Sequence, residues 1–239
     1  MTELERLRGE IVTANHILAR EGIVDAFGHV SARHPEDPGR YLLARARSPE
    51  LIEKGDIEEY ALDGTPLSSD ARKPYLERFI HGAIYEARPD VMAVVHSHSH
   101  SVVPFSVVGQ RIRPMLHSAA TIGNEVPVWN SRSKFGDTAL LVCDMPMGRD
   151  LAACMGGGSA CLMRGHGSTV SGGSVPEAVY TAIYLEVNAK LQIQAGQLGK
   201  IDFLSPGEIA KISSRLRDGL PGEGFRRAWD YWARRAAEG

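Results

Sequence analysis

The chain has 239 residues, 43% of them hydrophobic, and a formal net charge of −2, which is the composition of an ordinary globular protein. The near-neutral charge argues against nucleic acid as a main partner, and the longest apolar runs are too short to span a membrane. The first residues are charged and lack the apolar core of a signal sequence, and the three cysteines show no metal-ligand spacing. We therefore expect a cytoplasmic protein with free thiols, folded as a single domain over residues 1–239 with a C-terminal helical extension.

The chain begins with a predicted helix followed by a strand. Apolar residues at three- and four-residue spacing predict a helix over residues 3–21, and Gly22 is a natural stop. A turn then leads into a strand in which His29, Ser31 and Arg33 alternate and therefore share one face. The glycine before His29 is a position where the backbone can approach a ligand, so this face is a candidate part of a site.

A second strand, predicted over residues 41–47, carries two arginines on one face. Arg45 and Arg47 are separated by one residue, so their side chains project from the same side of the strand. The ordinary interpretation of either arginine alone is a solvated sheet edge. Together they are candidates for holding carboxylate or phosphate oxygens, because a guanidinium group pairs with such groups through two hydrogen bonds.

A helix is predicted over residues 74–87, since Pro74 suits a first helical turn. Glu77 and His81 are four residues apart and therefore lie on the same side of that helix. A surface Glu–His pair is the default interpretation of this spacing. Glu77 gains interest because the helix leads directly into the most informative strand of the chain.

That strand runs from residue 91 and ends in alternating histidines. Five mostly β-branched apolar residues precede His96, His98 and His100, which occupy every second position. Side chains of a strand alternate between faces, so the three imidazoles project from one side, about 6–7 Å apart per two residues. Two imidazoles at that spacing can share one metal ion, whereas the alternative is a polar strand end with solvated histidines. Three alternate histidines rarely all reach one ion, so the prediction depends on His96 and His98.

A further histidine follows a similar short apolar strand. Residues 160–163 lead into Arg164-Gly165-His166-Gly167, whose glycines predict a turn. Three neutral imidazole ligands with one open position make a catalytic metal site. Three histidines, with or without a carboxylate, suit zinc, manganese, iron or cobalt.

The other elements of the second half alternate between strands and helices. The predicted strands cover residues 102–114, as a pair around Gly109, then residues 139–143 and residues 160–170. The predicted helices cover residues 147–158, a segment from Ser174 to about Gly196, residues 205–218 and residues 226–237. The sequence assigns no role to His100 or His117.

Several motifs occur in an order that resembles the class II aldolase/adducin family. They are Gly28-His29-Val30-Ser31, Glu77 ahead of Arg88-Pro89-Asp90, His96-Ser97-His98 and Arg164-Gly165-His166-Gly167. The resemblance covers roughly residues 4–200 and implies a three-layer α/β/α fold with a central, mainly antiparallel sheet. It implies that His96, His98 and His166 hold a divalent metal, with Glu77 as the catalytic acid/base or a fourth ligand. It also implies a homo-oligomer, usually a tetramer with active sites at subunit interfaces.

The sequence departs from the sugar-phosphate aldolases of that family where they bind phosphate. His29 stands where they usually carry asparagine, and Arg45-Ala46-Arg47 stands near the place of their Thr/Ser-Gly turn. Tyr75-Leu76 precedes Glu77 where they often have two serines, and His117-Ser118 stands where some have a tyrosine proton donor. The pattern is therefore more similar to the decarboxylase branch, which acts on hydroxylated aromatic or pyridine dicarboxylates.

The resulting hypothesis is a metal-dependent decarboxylase, a carbon–carbon lyase, of a hydroxylated aromatic or pyridine dicarboxylate in a catabolic pathway. Its proton donor would be Glu77 or His29. The residues expected to bind substrate are Ser31, Arg33, Arg45 and Arg47: one of the three arginines would hold the second carboxylate, with Ser31 nearby. One alternative is a class II aldolase or epimerase acting on a non-phosphorylated hydroxy-carbonyl compound or sugar acid. The other is a non-catalytic, adducin-like interaction module.

Overall fold

A computed structural model of the protein describes residues 2–69, 72–218 and 224–238, and its centre is a single sheet. The strands found in these residues are β1 (His29–Arg33), β2 (Arg40–Ala44), β3 (Ile57–Ala61), β4 (Ala93–Ser97), β5 (Val128–Trp129), β6 (Ala160–Met163) and β7 (Gly167–Gly172). Their order across the sheet is β3-β2-β1-β4-β7-β6-β5. Every neighbouring pair is antiparallel except β5 and β6, which are parallel. The predicted central, mainly antiparallel sheet is therefore confirmed.

Helices cover both faces of the sheet. They are α1 (Glu3–Arg20), α2 (Arg78–Ala87), α3 (Val103–Val107), α4 (Arg132–Phe135), α5 (Met145–Met155), α6 (Val175–Leu198), α7 (Pro206–Asp218) and α8 (Phe225–Ala237), and short 3₁₀ turns cover Pro49–Leu51, Lys54–Asp56 and His117–Ile122. Helices α1, α6 and α8 share one hydrophobic core with the sheet, and α2 and α5 share the other. This arrangement confirms the three-layer α/β/α fold. No helix within the described ranges is long and apolar enough to cross a membrane.

Alternation along β4 assigns its side chains to the two cores. Val95 belongs to the core under α1 and α6, whereas Val94 belongs to the core under α2 and α5. His96 lies two residues after Val94, so its side chain is on the α2 face of the sheet. His29 of β1 pairs with His96 across the sheet and projects to the same face. The sheet register therefore places two candidate site histidines side by side.

Helix starts follow the capping residues of the sequence. Ser174 accepts a hydrogen bond from the Glu177 N–H at 3.2 Å, with Pro176 in the first turn of α6. The helix predicted from Ser174 is thus confirmed, and it continues to Leu198 before Gly199 ends it. The C-terminal helix is confirmed as α8, and its Trp229 and Trp232 side chains are buried in the core with α1 and α6.

The helix predicted over residues 74–87 begins later, at Arg78. Pro74 forms an isolated antiparallel bridge with Arg45, and the Ala46 N–H donates to the Lys73 carbonyl at 2.8 Å. The segment before the helix is therefore extended, because it pairs with the chain that leaves β2. As a result Glu77 is the N-cap residue of α2 rather than a residue of its second turn.

The strand pair predicted over residues 102–114 is wrong. Its first part forms helix α3, and the rest is an extended segment that pairs with side chains of α6 instead of a strand. Gln192 accepts from the Arg113 N–H at 3.1 Å and donates to the Arg111 carbonyl at 2.8 Å, and Asn188 donates to the Arg113 carbonyl at 2.9 Å. Two buried amides thus satisfy the backbone, an arrangement that local sequence patterns do not reveal.

Two other strand predictions need correction. Residues 139–143 contain no strand and form a loop instead. The single strand predicted over residues 160–170 is a hairpin of β6 and β7, in which Met163 pairs with Gly167 across a tight turn. Gly165 sits in that turn with a φ of +66°, a conformation that glycine adopts at little cost.

Candidate metal centre and adjoining cavity

Three histidines and one glutamate converge at one end of the sheet. Nε2 of His98 lies 3.1 Å from Nε2 of His96 and 2.9 Å from Nε2 of His166. Oε2 of Glu77 lies 3.5 Å from Nε2 of His96 and 3.4 Å from Nε2 of His166. The four ligand atoms all lie within 4.8 Å of one another, so they could hold one metal ion. The structure thus brings together all four residues that the sequence placed in a metal site.

The sheet and its turns position these ligands. His96 is near the end of β4 and His98 follows it, while His166 lies in the turn between β6 and β7. Strands β4 and β7 are antiparallel neighbours, so the end of one lies beside the start of the other. Gly167 permits this close approach, because a Cβ at that position would lie 2.1 Å from the Ser97 carbonyl oxygen.

Backbone carbonyls fix two of the imidazole rings. Nδ1 of His96 lies 3.1 Å from the Ser168 carbonyl oxygen, and Nδ1 of His166 lies 2.9 Å from that of Leu140. A carbonyl oxygen only accepts, so each Nδ1 carries the hydrogen and each Nε2 keeps its lone pair. The Nε2 lone pairs of His96 and His166 therefore face the Glu77 carboxylate. The only hydrogen that could lie among these ligand atoms is one on Nε2 of His98. This donor set fits a divalent cation.

The protonation states also suit a metal. Burial, followed by the neighbouring His96 and His166, lowers the pKa of His98 to about 4. Burial by itself would raise the pKa of Glu77, but His96 and His166 outweigh it and lower that pKa to about 2. Oε1 of Glu77 also accepts the Val142 N–H at 3.0 Å. At neutral pH the centre therefore offers a carboxylate and a neutral His98, the forms that bind metal.

The loop over residues 139–143 supports the centre through its backbone. It supplies the Leu140 carbonyl to His166 and the Val142 N–H to Glu77. Leu140 has a φ of +64° and is the sole non-glycine residue with positive φ in the described parts of the chain. That conformation costs roughly 1–2 kcal/mol and is typical of functional sites. Side-chain patterns could not predict this role, because main-chain atoms make the contacts.

A cavity of about 450 Å³ opens beside the centre, within the size range of small-molecule sites. Its lining includes the candidate ligands Glu77, His96 and His98, and also His29. Its walls are mainly apolar, and the apolar side chains include those of Phe27, Pro74, Tyr75, Leu76 and Leu141. Two cationic residues, Arg47 and Lys73, also line the cavity. The cavity can therefore hold an apolar ring that carries negative groups.

The two arginines of β2 and its extension are bound to a single aspartate. Nε of Arg45 donates to Oδ1 of Asp56 at 2.7 Å, and Nη1 of Arg47 donates to Oδ2 at 2.6 Å. Burial alone would raise the pKa of Asp56, but the Glu53 N–H and these two guanidinium groups outweigh it and lower the pKa to about 2. Only Arg47 of this pair lines the cavity, and one of its two terminal nitrogens already donates to Asp56.

The other two residues expected to bind substrate lie outside the cavity lining. The Arg33 guanidinium donates to the backbone carbonyls of Val91, Tyr85 and two further residues, which closes the end of α2. Four of its five N–H hydrogens are therefore donated within the protein, and its geometry gives the binding role no support. Ser31 is fully buried behind His29, where it contacts His81 and Tyr85.

The sequence missed two residues near the site. Lys73 lines the cavity with an exposed side chain, and no described residue forms an ion pair with it. In the sequence, only its position four residues before Glu77 pointed to a place near the site. His81, interpreted as half of a surface pair, is fully buried and contacts His29 instead. His100 and His117 are exposed and lie outside the ligand cluster.

The chain belongs to the class II aldolase and adducin N-terminal domain family, whose model matches residues 9–193. It is 34% identical to decarboxylase tropJ of Talaromyces stipitatus, over 95% of this chain and 93% of that protein. It is 32% identical to a 3,4-dihydroxyphthalate decarboxylase of a Terrabacter species, over 83% of this chain and 84% of the relative. An aldolase II superfamily protein from Pseudomonas syringae shares the fold, with a TM-score of 0.79, 24% identity and coverage of 100% and 95%. The resemblance found in the sequence is confirmed.

Proposed function

We propose that the protein is a divalent-metal-dependent decarboxylase, a carbon–carbon lyase that acts on a hydroxylated aromatic or pyridine dicarboxylate. The observation that carries this proposal is a metal-ligand set inside a mainly apolar cavity that also presents Arg47 and Lys73. Apolar walls suit a planar ring, and cations suit its carboxylates. Relatives named as decarboxylases, at 34% and 32% identity, support the same reaction class.

His96, His98 and His166 would hold the ion, with Glu77 as a fourth ligand or a charge beside it. Nitrogen ligands and one carboxylate suit zinc, manganese, iron or cobalt. A divalent cation bound there would stabilise the electrons that remain on a substrate oxygen when the carbon–carbon bond breaks. The fixed Nδ1 hydrogens of His96 and His166 keep both rings oriented for this task.

We assign the proton donation to His29. Release of CO2 from a carboxylate consumes one proton, which replaces the carboxyl group on the ring carbon and is supplied in turn by solvent. His29 lines the cavity, its ring centroid lies 5.0 Å from that of His96, and its Nε2 has no partner among the described residues. Burial lowers the pKa of His29 well below its ordinary value, so its ring is neutral and still carries one hydrogen, which solvent replaces after transfer. Glu77 is less suited to donate, because a pKa of about 2 leaves it ionised and without a hydrogen at neutral pH.

Lys73 takes the place that the sequence analysis gave to the arginines as a group. Arg45 and Arg47 share the Asp56 carboxylate, whereas no described residue pairs with Lys73. An unpaired ammonium group is available to a substrate carboxylate without first breaking an ion pair. In the proposal Lys73 binds the second carboxylate, with Arg47 as an additional contact.

We also propose a homo-oligomer, and a tetramer with the cavity mouth at a subunit interface is the form that the family resemblance favours. Phe27 is 66% exposed and Leu76 is 60% exposed, and both line the cavity. Large exposed apolar side chains at a cavity mouth are typical of a surface that another subunit covers. Light scattering after size-exclusion chromatography tests this, and a fully active monomer would contradict it.

The test of the proposed reaction is CO2 release by metal-loaded protein across a small panel of substrates. The panel combines ortho-hydroxy aromatic and pyridine dicarboxylates with aldol sugars, their phosphates and sugar acids. We expect CO2 from one dicarboxylate, abolished by EDTA and restored by Mn²⁺ or Zn²⁺. Aldehyde from a polyol without any CO2 would contradict the decarboxylase and favour the aldolase alternative.

A further inference from the structure

A line of buried polar groups runs behind His29, between β1 and α2. Nδ1 of His29 lies 2.6 Å from Nε2 of His81, and Nδ1 of His81 lies 2.6 Å from Oγ of Ser31. Oγ of Ser31 lies 2.8 Å from the hydroxyl of Tyr85. None of the four side chains is more than 4% exposed, so water does not compete for these hydrogen bonds.

The hydroxyl hydrogen of Tyr85 sets the direction of this line. Ser31 Oγ is the acceptor that the described residues offer to that hydrogen, and a buried O–H without an acceptor is strongly disfavoured. Tyr85 therefore donates to Ser31. Ser31 has one hydrogen of its own, which then goes to Nδ1 of His81.

The hydrogens of the two imidazole rings can be assigned in the same way. A neutral His81 that accepts at Nδ1 carries its hydrogen on Nε2 and donates it to Nδ1 of His29. Burial lowers the pKa of His81 to about 3, which agrees with a ring that carries a single hydrogen. His29 then accepts at Nδ1, so its own hydrogen is on Nε2, the nitrogen left for the cavity.

We infer that Tyr85, Ser31 and His81 are positioning residues that fix His29 as the Nε2–H tautomer and so present an N–H donor to the cavity. The catalytic value of this donor rests on the proposed function. The tautomer itself does not depend on the proposed function. It also has a consequence for metal binding. A nitrogen that carries a hydrogen cannot bind a cation, so His29 stays out of the ligand set although its ring centroid is 5.0 Å from that of His96.

The direct test is nitrogen-15 NMR of the zinc-loaded protein, labelled at its histidine rings and free of substrate. The chemical shift of a ring nitrogen distinguishes an N–H from a lone pair, and loss of signals in His29→Asn assigns the ring. We expect a protonated Nε2 and an unprotonated Nδ1 on His29. A hydrogen on Nδ1 of His29 would overturn the inference, whatever substrate the enzyme proves to use.

Tyr85→Phe removes the hydrogen that sets the direction and little else. Ser31 can then donate to His81 or accept from it, so we expect a mixture of His29 tautomers in the spectrum. In the CO2 assay we expect kcat to fall about three- to tenfold with KM changed by less than about twofold. If activity is absent in the wild type, the spectrum still decides the inference.

Tyr60→Phe is the matched control. Tyr60 is also fully buried, but its hydroxyl has no hydrogen-bond partner among the described residues, so its loss should leave both the spectrum and kcat unchanged. A Tyr85→Phe protein that matches the Tyr60→Phe protein in both measurements would refute the inference. If Tyr85→Phe does not fold, Ser31→Ala removes the next group of the line and should give the same mixture of tautomers.

Discussion

Nε2 of His98 and Nε2 of His166 lie 2.9 Å apart, although the two residues are separated by 68 positions in the chain. The antiparallel pairing of β4 with β7 creates this contact, because the end of β4 lies beside the turn that precedes β7. The pairing of these two strands therefore holds the two histidines beside each other before any ion binds. A rigid set of ligands holds an ion without a large loss of chain entropy on binding.

His98→Ala should remove the metal. One of the four converging ligand atoms is lost, and we expect metal affinity to fall by at least about tenfold to a hundredfold and turnover to be abolished. Elemental analysis of the purified protein and the CO2 assay measure the two effects. His100→Ala is the control, because His100 is exposed and lies outside the cluster. Full activity of metal-free Glu77→Ala protein would contradict the whole metal scheme.

Lys73→Met should weaken substrate binding more than it slows turnover. The ammonium group is expected to contact the second carboxylate, so its loss should raise KM by about tenfold and leave the metal content unchanged. Arg47→Ala should raise KM by less, because Asp56 already shares that guanidinium. Steady-state kinetics with a dicarboxylate provide the measurement. Lys190→Met, at an exposed position on α6, is the control, and equal KM values in both lysine variants would contradict the assignment.

The ionised Asp56 carboxylate should stabilise the folded chain, and this stabilisation should be lost at acidic pH. Its pKa in the folded chain is lowered to about 2, so the unfolded chain binds a proton at a higher pH than the folded chain does. This stability is fully present above the ordinary aspartate value of about 4 and is lost as the pH falls from about 4 to about 2. We therefore expect wild-type protein to lose about 2 kcal/mol of unfolding free energy over that interval from this group.

Asp56→Asn should abolish that acid-dependent loss and lower the stability at pH 7. Urea denaturation of the metal-free protein at pH 7, 4 and 2 gives the unfolding free energies. In the control variant Asp202→Asn, at an exposed position, the unfolding free energy should depend on pH as it does in the wild type. An Asp56→Asn protein with the wild-type dependence on pH would show that the ion pairs with Arg45 and Arg47 contribute nothing.

Gly148→Ala should destabilise the contact between α5 and α2. A Cβ at Gly148 would lie 2.5 Å from the Phe79 carbonyl oxygen and 2.9 Å from the Ala83 Cβ, so the helices must separate. We expect a loss of about 1–3 kcal/mol and weaker metal binding, since α2 begins directly after Glu77. Gly196→Ala is the control in α6, where a Cβ meets no described atom within 4 Å and should stabilise the helix by up to about 1 kcal/mol. Thermal unfolding compares the two, and equal midpoints would contradict the prediction.

Strand alternation was enough to place some site residues but not others. His96 and His98 follow an apolar run that marks an internal strand, so their common face could be predicted from spacing alone. The same argument put Arg45 and Arg47 on one face, and they do contact one carboxylate, that of Asp56. What spacing could not show is that this carboxylate belongs to the protein and not to a substrate.

The sequence alone therefore determined the family and the layered fold and identified the four candidate metal ligands, because periodicity and motif order are local properties of the chain. The tertiary structure decided the rest. It brought the Leu140 carbonyl and the Val142 N–H to the ligands, left Lys73 unpaired among the described residues, and buried His81 against His29. Each of these depends on which backbone atom or opposite charge lies within a few ångströms, and only the packing of distant segments sets that distance.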